Sequence, residues 1–201
     1  MMSASWLLSI TMFSVAMSGT PGPNNMMLTA SGARYGYRRT LPHIAGILGG
    51  CVVLFVAIAL GLGAVFERYE SVQWALRLAG SAYLLYLAWR IATAPPPNLD
   101  DAQAARPLNI WEAAAFQFAN PKAWIMGLTL TASFLPANGS LMLNALLLAL
   151  LMEAAAFPCI SFWALFGRTL GSRLRSARSW RVFNVLMGAL TAACVVLIFS
   201  D

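Results

Sequence analysis

Long apolar stretches separated by short polar ones dominate the pattern along this chain. A transmembrane helix needs about 20 predominantly apolar residues, and the chain carries six stretches of roughly this length. They run from about 6 to 31, 41 to 66, 72 to 93, 110 to 135, 141 to 168 and 182 to 200. The pattern therefore predicts an all-α membrane protein with six transmembrane helices.

Two of the predicted spans contain proline at a point where the helix would otherwise continue. The first span carries Thr20-Pro21-Gly22-Pro23-Asn24-Asn25, and the fourth carries Asn120-Pro121-Lys122. Proline in a helix interior costs about 3 kcal/mol, and lipid offers no water to the backbone groups that it frees. Such a break is tolerated where the backbone lines an enclosed cavity, so helices 1 and 4 are predicted to be interrupted around a binding site.

The two breaks occupy matching places in two halves of the chain. Leu78-Ala79-Gly80-Ser81-Ala82 in the third span also resembles Leu186-Met187-Gly188-Ala189-Leu190 in the sixth. Because each half holds three spans, the second half crosses the membrane in the opposite sense, which predicts two inverted three-helix repeats. We expect one transmembrane domain over 1–201, with repeat 1 at about 5–93, a hinge loop at about 94–109 and repeat 2 at about 110–200.

Composition and charge agree with a membrane location. The chain is 60% hydrophobic and 10% charged, with a mean hydropathy of +0.70, whereas a soluble domain carries about 25% charged residues. The positive-inside rule then places both termini outside and one arginine-rich face in the cytoplasm. That face holds Arg34, Arg38, Arg39, Arg90, Arg106, Arg168, Arg173, Arg175, Arg178 and Arg181. No segment joins basic residues to exposed stacking aromatics, so the expected partner is the lipid bilayer and not nucleic acid.

The first break has the chemistry of an amino acid site. Where the helix restarts after Pro23, backbone N–H groups near Asn24, Asn25 and Met26 lack helical partners and favour a carboxylate. Gly22 permits close backbone approach, and the freed carbonyls of Gly19 and Thr20 offer acceptors to an ammonium group. The alternative is a kink without a ligand. The candidate substrate-binding residues are Thr20, Pro21, Gly22, Pro23, Asn24, Asn25, Gln117, Asn120, Pro121 and Lys122.

Two charged residues fall inside predicted spans, where ionisable groups are costly and usually functional. Lys122 follows the second break and is a candidate for binding the substrate carboxylate or for a proton-linked switch. Glu153, deep in the fifth span, is a candidate proton carrier or ammonium partner. The alternative for each is packing alone, with Lys122 paired to Glu112 or Glu153.

The remaining polar and small residues receive structural interpretations. Cys51, Cys159 and Cys194 are expected to be core residues, and the single histidine, His43, is expected to lie at the membrane interface. Gly46 and Gly50 form a GxxxG pair for which packing inside the chain is favoured and a homodimer is the alternative. We expect no metal site, no cofactor and no enzymatic activity.

The two proline blocks, together with Gly36-Tyr37-Arg38-Arg39 and Gly80-Ser81-Ala82-Tyr83-Leu84, resemble the lysine/homoserine-threonine exporter family of bacterial amino acid efflux proteins. Trp89-Arg90-Ile91-Ala92-Thr93 looks most like the cysteine and O-acetylserine branch. The resemblance implies a bacterial inner-membrane location, export of amino acids and proton coupling. Many relatives carry an acid in the second span where this chain has Gly50-Cys51, which leaves Glu153 as the acidic candidate here.

The resulting hypothesis is a secondary transporter that exports small neutral amino acids, cysteine-like or threonine-like, from the cytoplasm in exchange for protons. The alternative is a passive channel or a metal-ion efflux protein of the same superfamily.

Overall fold

The computed structural model describes residues 3–96 and 106–196, and every regular element within these ranges is helical. Most of the predicted hinge, including Pro97, Asp100 and Asp101, and the last residues of the sixth predicted span lie outside the described residues. The helices are α1 (Ala4–Gly19), α2 (Pro23–Ala57), α3 (Gly63–Arg68), α4 (Glu70–Ala92), α5 (Ile110–Ala119), α6 (Pro121–Phe134), α7 (Leu141–Gly171) and α8 (Ala177–Ala193), with a π-helical turn at Ile58–Leu62 between α2 and α3.

Helix α2 consists of two segments joined at Gly36. This glycine has φ 78° and ψ 167°, a conformation that favours a residue without a Cβ. The chain reverses sharply enough there for Ser31 Oγ and Thr40 Oγ1 to lie 2.9 Å apart. We call residues 23–35 the first segment of α2 and residues 37–57 its second segment.

The helix bounds follow the predicted spans closely. Helix α1 with the first segment of α2 covers the first predicted span, and α5 with α6 covers the fourth. By length and composition alone, two stretches are long and apolar enough to cross a membrane, Leu141–Gly171 and Pro23–Arg68, the latter of which contains the reversal at Gly36. The first and fourth predicted spans are each divided between two helices, and α4 and α8, at the third and sixth, are not among these stretches.

Small residues let the helices approach to backbone contact. An added Cβ at Gly32 would lie 2.0 Å from Ala164 O, and one at Gly167 would lie 2.0 Å from Thr29 O. The first segment of α2 is therefore locked against α7. No rotation of a side chain can relieve a clash with backbone, so these glycines fix the position of the segment that follows the first break.

The GxxxG pair packs inside the chain, as the favoured interpretation predicted. An added Cβ at Gly46 would lie 2.4 Å from Ile110 O, and one at Gly50 would lie 2.7 Å from Ala114 O. The second segment of α2 thus lies directly against α5, which carries Gln117 toward the first break.

Contacts gather the arginine-bearing loops at one end of the helix bundle. Close packing of Gly171 on Ala33 and a 2.8 Å hydrogen bond from Asn184 Nδ2 to Ala94 O join α2, α4, α7 and α8 there. Arg34 Nη1 also donates to Pro95 O. We call this the arginine-rich end. The start of α1 lies at the other end, where Trp6 Nε1 donates to Phe134 O.

At the arginine-rich end, α5 begins with a capping box in which Asn109 and Glu112 exchange side-chain hydrogen bonds with each other's backbone N–H. The Glu112 carboxylate also accepts two 2.7 Å hydrogen bonds from Arg106. These bonds raise the pKa of the Arg106 guanidinium because they stabilise its charged form. Glu112 is therefore engaged at the helix start, away from Lys122.

Candidate functional site

The first break separates α1 from α2 by three residues. Helix α1 ends at Gly19, and Thr20 leaves the helical conformation with φ −70° and ψ 144°. Gly22 is fully extended and caps α2, whose first residue is Pro23. Proline is suited to this first position because its fixed φ fits the helix and its missing N–H would have no helical partner there.

Backbone N–H groups are left open where α2 begins. Gly22 supplies no side-chain cap, and the N–H groups of Asn24 and Asn25 meet no acceptor among the described residues. The expectation for Met26 is wrong, since its N–H donates to Gly22 O at 3.0 Å. Two open amides therefore point from a helix start, where the helix dipole adds a partial positive charge.

The carbonyls freed at the end of α1 already have donors from the protein. Asn25 Nδ2 donates to Ser18 O at 2.9 Å and to Thr20 O at 2.8 Å, and Trp163 Nε1 donates to Gly19 O at 3.3 Å. An ammonium group that bound Gly19 or Thr20 would thus compete with side chains of the chain itself. The Asn25 side chain thus links the start of α2 to the end of α1 across the break.

The second break is capped, in contrast to the first. Asn120 separates α5 from α6, and its Oδ1 accepts from Lys122 N at 3.2 Å. Its carbonyl accepts from Ala123 N at 3.0 Å and from Trp124 N at 3.3 Å. With these amides satisfied, the start of α6 holds Lys122 in place but offers little to an anion from its own backbone.

A partly buried pair of side-chain amides connects the two breaks. Asn24 Nδ2 donates to Gln117 Oε1 at 2.9 Å, and Gln117 Nε2 donates to Asn24 Oδ1 at 3.3 Å. Gln117 is fully buried, and its Oε1 also receives the Cys51 thiol at 3.7 Å and Asn120 Nδ2 at 3.4 Å. Such a satisfied network holds α5 against the start of α2.

Lys122 lies across the first break. Its Nζ donates to Thr20 O and to Thr20 Oγ1, both at 2.9 Å. Gly22 makes room for this side chain, because an added Cβ there would lie 3.1 Å from Lys122 Cδ and 3.2 Å from its Nζ. The ammonium group is therefore held beside the open amides of α2.

Between the breaks lies a cavity of about 40 Å³, which we call the central cavity. Glu153 is only 6% exposed and lines it, and Glu153 Oε1 has no hydrogen-bond partner in the described parts of the chain. No ion pair joins Glu153 to Lys122 within those parts, so the paired alternative is not observed. The volume suits a few water molecules and not an amino acid.

The predicted site residues divide into those that line the central cavity and those that support it. Gly22, Pro23, Asn24, Asn25, Asn120, Lys122 and Glu153 line the cavity. Gln117 acts through its hydrogen bond to Asn24, and Thr20 lies outside the cavity, where it accepts from Lys122. Pro21 is exposed, and Pro121 faces a neighbouring groove.

Sequence reasoning missed several residues at this site. Cys51, assigned only to packing, lines the central cavity, as does Ser18, and Trp163 caps the end of α1. The departure from the family at Gly50-Cys51 was the one signal that pointed to the Cys51 position. His43, expected at the membrane interface, is buried within the protein.

Comparisons with known proteins agree with this architecture. A family model described as LysE type translocator matches residues 14–199. The chain is 30% identical over 201 residues to the cysteine/O-acetylserine efflux protein of Escherichia coli strain K12, covering 99% of this chain and 97% of that protein. The protein of the same name from Shigella sonnei matches equally well, and that from Escherichia coli O1:K1 is 29% identical over the same coverage.

No solved structure matches the chain significantly. The family match spans both breaks and nearly all of the described helices, and the full-length relatives are efflux proteins and not enzymes. The chain belongs to the LysE type translocator family.

Proposed function

We propose that this protein is a secondary transporter that exports small neutral amino acids, cysteine-like or threonine-like, across the bacterial inner membrane in exchange for protons. The function of its relatives, cysteine and O-acetylserine efflux, supports the substrate class. The observation that carries the proposal is the pair of open amides at Asn24 and Asn25, two residues that line a cavity also lined by Lys122 and Glu153.

The substrate carboxylate binds the Asn24 and Asn25 N–H groups and the Lys122 ammonium group. Donors fixed by a helix start bind an anion without reorganising, and charge-assisted hydrogen bonds are roughly twice as strong as neutral ones. Glu153 carries the proton, because its partly unsatisfied carboxyl group lies at the same cavity. Binding of substrate and binding of a proton would then compete at one place, as exchange requires.

Six transmembrane spans form two inverted repeats, with both termini outside and the arginine-rich end in the cytoplasm. The clustering of arginine-bearing loops at one end supports this orientation through the positive-inside rule. Alternating access then follows from rocking of one repeat against the other around the central cavity. If one proton enters for each zwitterion that leaves, one net charge moves with the field, worth about 2.3 kcal/mol per 100 mV.

Counterflow in liposomes tests the function. Purified protein in vesicles loaded with unlabelled cysteine should take up external labelled cysteine transiently above equilibrium, with a rate that saturates. A passive channel gives neither saturation nor overshoot, so a linear, non-overshooting uptake would refute the exporter.

Metal-ion efflux is the less favoured alternative. No three His, Cys, Asp or Glu side chains come together in residues 3–96 and 106–196 to hold a metal ion, whereas a small neutral amino acid matches the observed amides and ammonium group. In the same vesicles, loading with divalent cations should produce no counterflow.

A further inference from the structure

A second, much larger cavity opens at the arginine-rich end. It has a volume of about 310 Å³ and lies between the two segments of α2, helices α4 and α8, and residues 106–108 before α5. Arg90 and Arg106 at its rim are exposed, while Ser31, His43 and Asn184 at its floor are buried. We call it the arginine vestibule. It is large enough for a small amino acid, whereas the central cavity is not.

The floor of the arginine vestibule contains a buried side chain without partners. His43 is 1% exposed, and neither Nδ1 nor Nε2 has a hydrogen-bond partner in the described residues. A neutral imidazole carries one donor and one acceptor, and leaving such groups buried and unpaired costs about 1 to 3 kcal/mol each. His43 lines the vestibule, and a polar ligand that reaches its ring nitrogens, which are covered here, would satisfy it.

The charged groups around the vestibule favour an anion. Arg34, Arg90 and Arg106 line it, and Arg106 is paired to Glu112 at 2.7 Å. Arg34 lies over the Tyr35 ring at 5.7 Å and donates to a backbone carbonyl, and Arg90 lies over the Tyr86 ring at 5.8 Å. Neither of these two has a carboxylate partner among the described residues. Two guanidinium groups are thus available to a carboxylate.

Apolar residues complete the fit to an amino acid. Met27, Leu87 and Leu108 form part of the wall and can cover a small side chain. Asn184 Nδ2 and Ser31 Oγ already have partners, in Ala94 O and Thr40 Oγ1. Among the buried side chains of the floor, His43 is the one whose buried polar atoms have no partner in the described residues.

The vestibule adjoins the central cavity along a single helix segment. Asn24 lines the central cavity and Ser31 lines the vestibule, and seven residues of helix rise by roughly 10 Å. Met27, buried, lies between them. A molecule in the vestibule is therefore about two helical turns from the open amides of the first break.

We propose that the arginine vestibule is a capture site, in which Arg34, Arg90 and His43 bind the carboxylate of the amino acid before it moves to the central cavity. This inference rests on the proposed export of amino acids from the arginine-rich end.

Transport measured separately from the two sides tests the capture site. Proteoliposomes with the arginine-rich end outward and with it inward are each assayed for counterflow of labelled cysteine. The Arg90→Met variant changes an exposed rim residue and should leave the fold intact, and His43→Asn tests the floor. Arg178→Met is the matched control, because Arg178 is exposed at the same end but does not line the vestibule.

Each vestibule variant should raise the apparent KM for substrate supplied at the arginine-rich end about tenfold, as expected for loss of a hydrogen bond to a charged group. The KM from the opposite side should change less than about twofold, and Arg178→Met should match the parent. An unchanged KM at the arginine-rich end in Arg90→Met would overturn the proposal, and so would an equal rise from both sides.

Lipid composition and the parent's own transport distinguish the capture site from a lipid site and from failure of the exporter. The rise in apparent KM should be the same in vesicles of neutral phosphatidylcholine and in vesicles containing anionic lipid. A rise in KM seen only with anionic lipid would assign the vestibule to a lipid headgroup and overturn the proposal.

If the parent protein shows no counterflow from either side, the exporter itself fails and the capture site fails with it. If the parent shows normal counterflow and the vestibule variants keep the parental KM, the capture site alone is refuted.

Discussion

Replacing Glu153 with glutamine should abolish the coupling of transport to a pH difference while leaving exchange of substrate for substrate intact. With one proton exchanged per substrate, a pH difference of one unit drives about a tenfold concentration ratio. Glutamine keeps the size of glutamate but cannot release a proton. In Glu153→Gln, the ratio reached at that pH difference should therefore fall from about ten toward one.

The measurement is steady-state accumulation of labelled amino acid in proteoliposomes with an imposed pH difference, alongside counterflow without one. Glu112→Gln is the matched control, since Glu112 caps α5 beside Arg106 and glutamine also serves in a capping box. Accumulation by Glu153→Gln equal to that of the parent would show that the proton passes elsewhere. Loss of both accumulation and counterflow would instead make Glu153 a structural residue.

Replacing Lys122 with methionine should weaken substrate binding by about tenfold to about a hundredfold. The estimate follows from the roughly 1.5 to 3 kcal/mol typical of a hydrogen bond to a charged group. Methionine retains much of the chain length but removes the ammonium group, which now lies on Thr20 beside the open amides. The change should appear as a higher apparent KM in counterflow at equal membrane abundance.

Two variants of neighbouring residues distinguish binding of substrate by Lys122 from its hydrogen bonds to Thr20 across the first break. Thr20→Val removes the Oγ1 acceptor but leaves the carbonyl, so its effect should be smaller. Gly22→Ala places a Cβ about 3.1 Å from Lys122 Cδ and should displace the side chain, giving part of the Lys122→Met defect. Parental transport by Lys122→Met would contradict a role for this residue in substrate binding.

Much of the fold was predictable because the strongest signals were local. At 21–23 and at 121, proline and glycine coincide with helix ends, whereas Pro42 and Pro158 lie inside α2 and α7. Apolar stretches predict where the long helices lie. The positions of Lys122 and Glu153 within those stretches also predicted that both would lie near the breaks, where they line the central cavity.

The details of the site depended on tertiary packing that no local pattern carries. Asn25 staples the end of α1, and Trp163, more than a hundred residues away in sequence, caps Gly19. His43 becomes buried because the sharp reversal at Gly36 directs the second segment of α2 inward. Because the sequence does not show such long-range contacts, Cys51 was assigned to packing and His43 to the membrane interface.

The central claim is that the open amides of Asn24 and Asn25, with Lys122, bind the substrate carboxylate. Competition against counterflow of labelled cysteine tests it most directly, with cysteine, cysteine methyl ester and cysteamine as unlabelled competitors. The latter two keep the amine and the thiol but lack the carboxylate, so they should compete at least about tenfold less well. If cysteamine competes as well as cysteine, the carboxylate is not what this site binds.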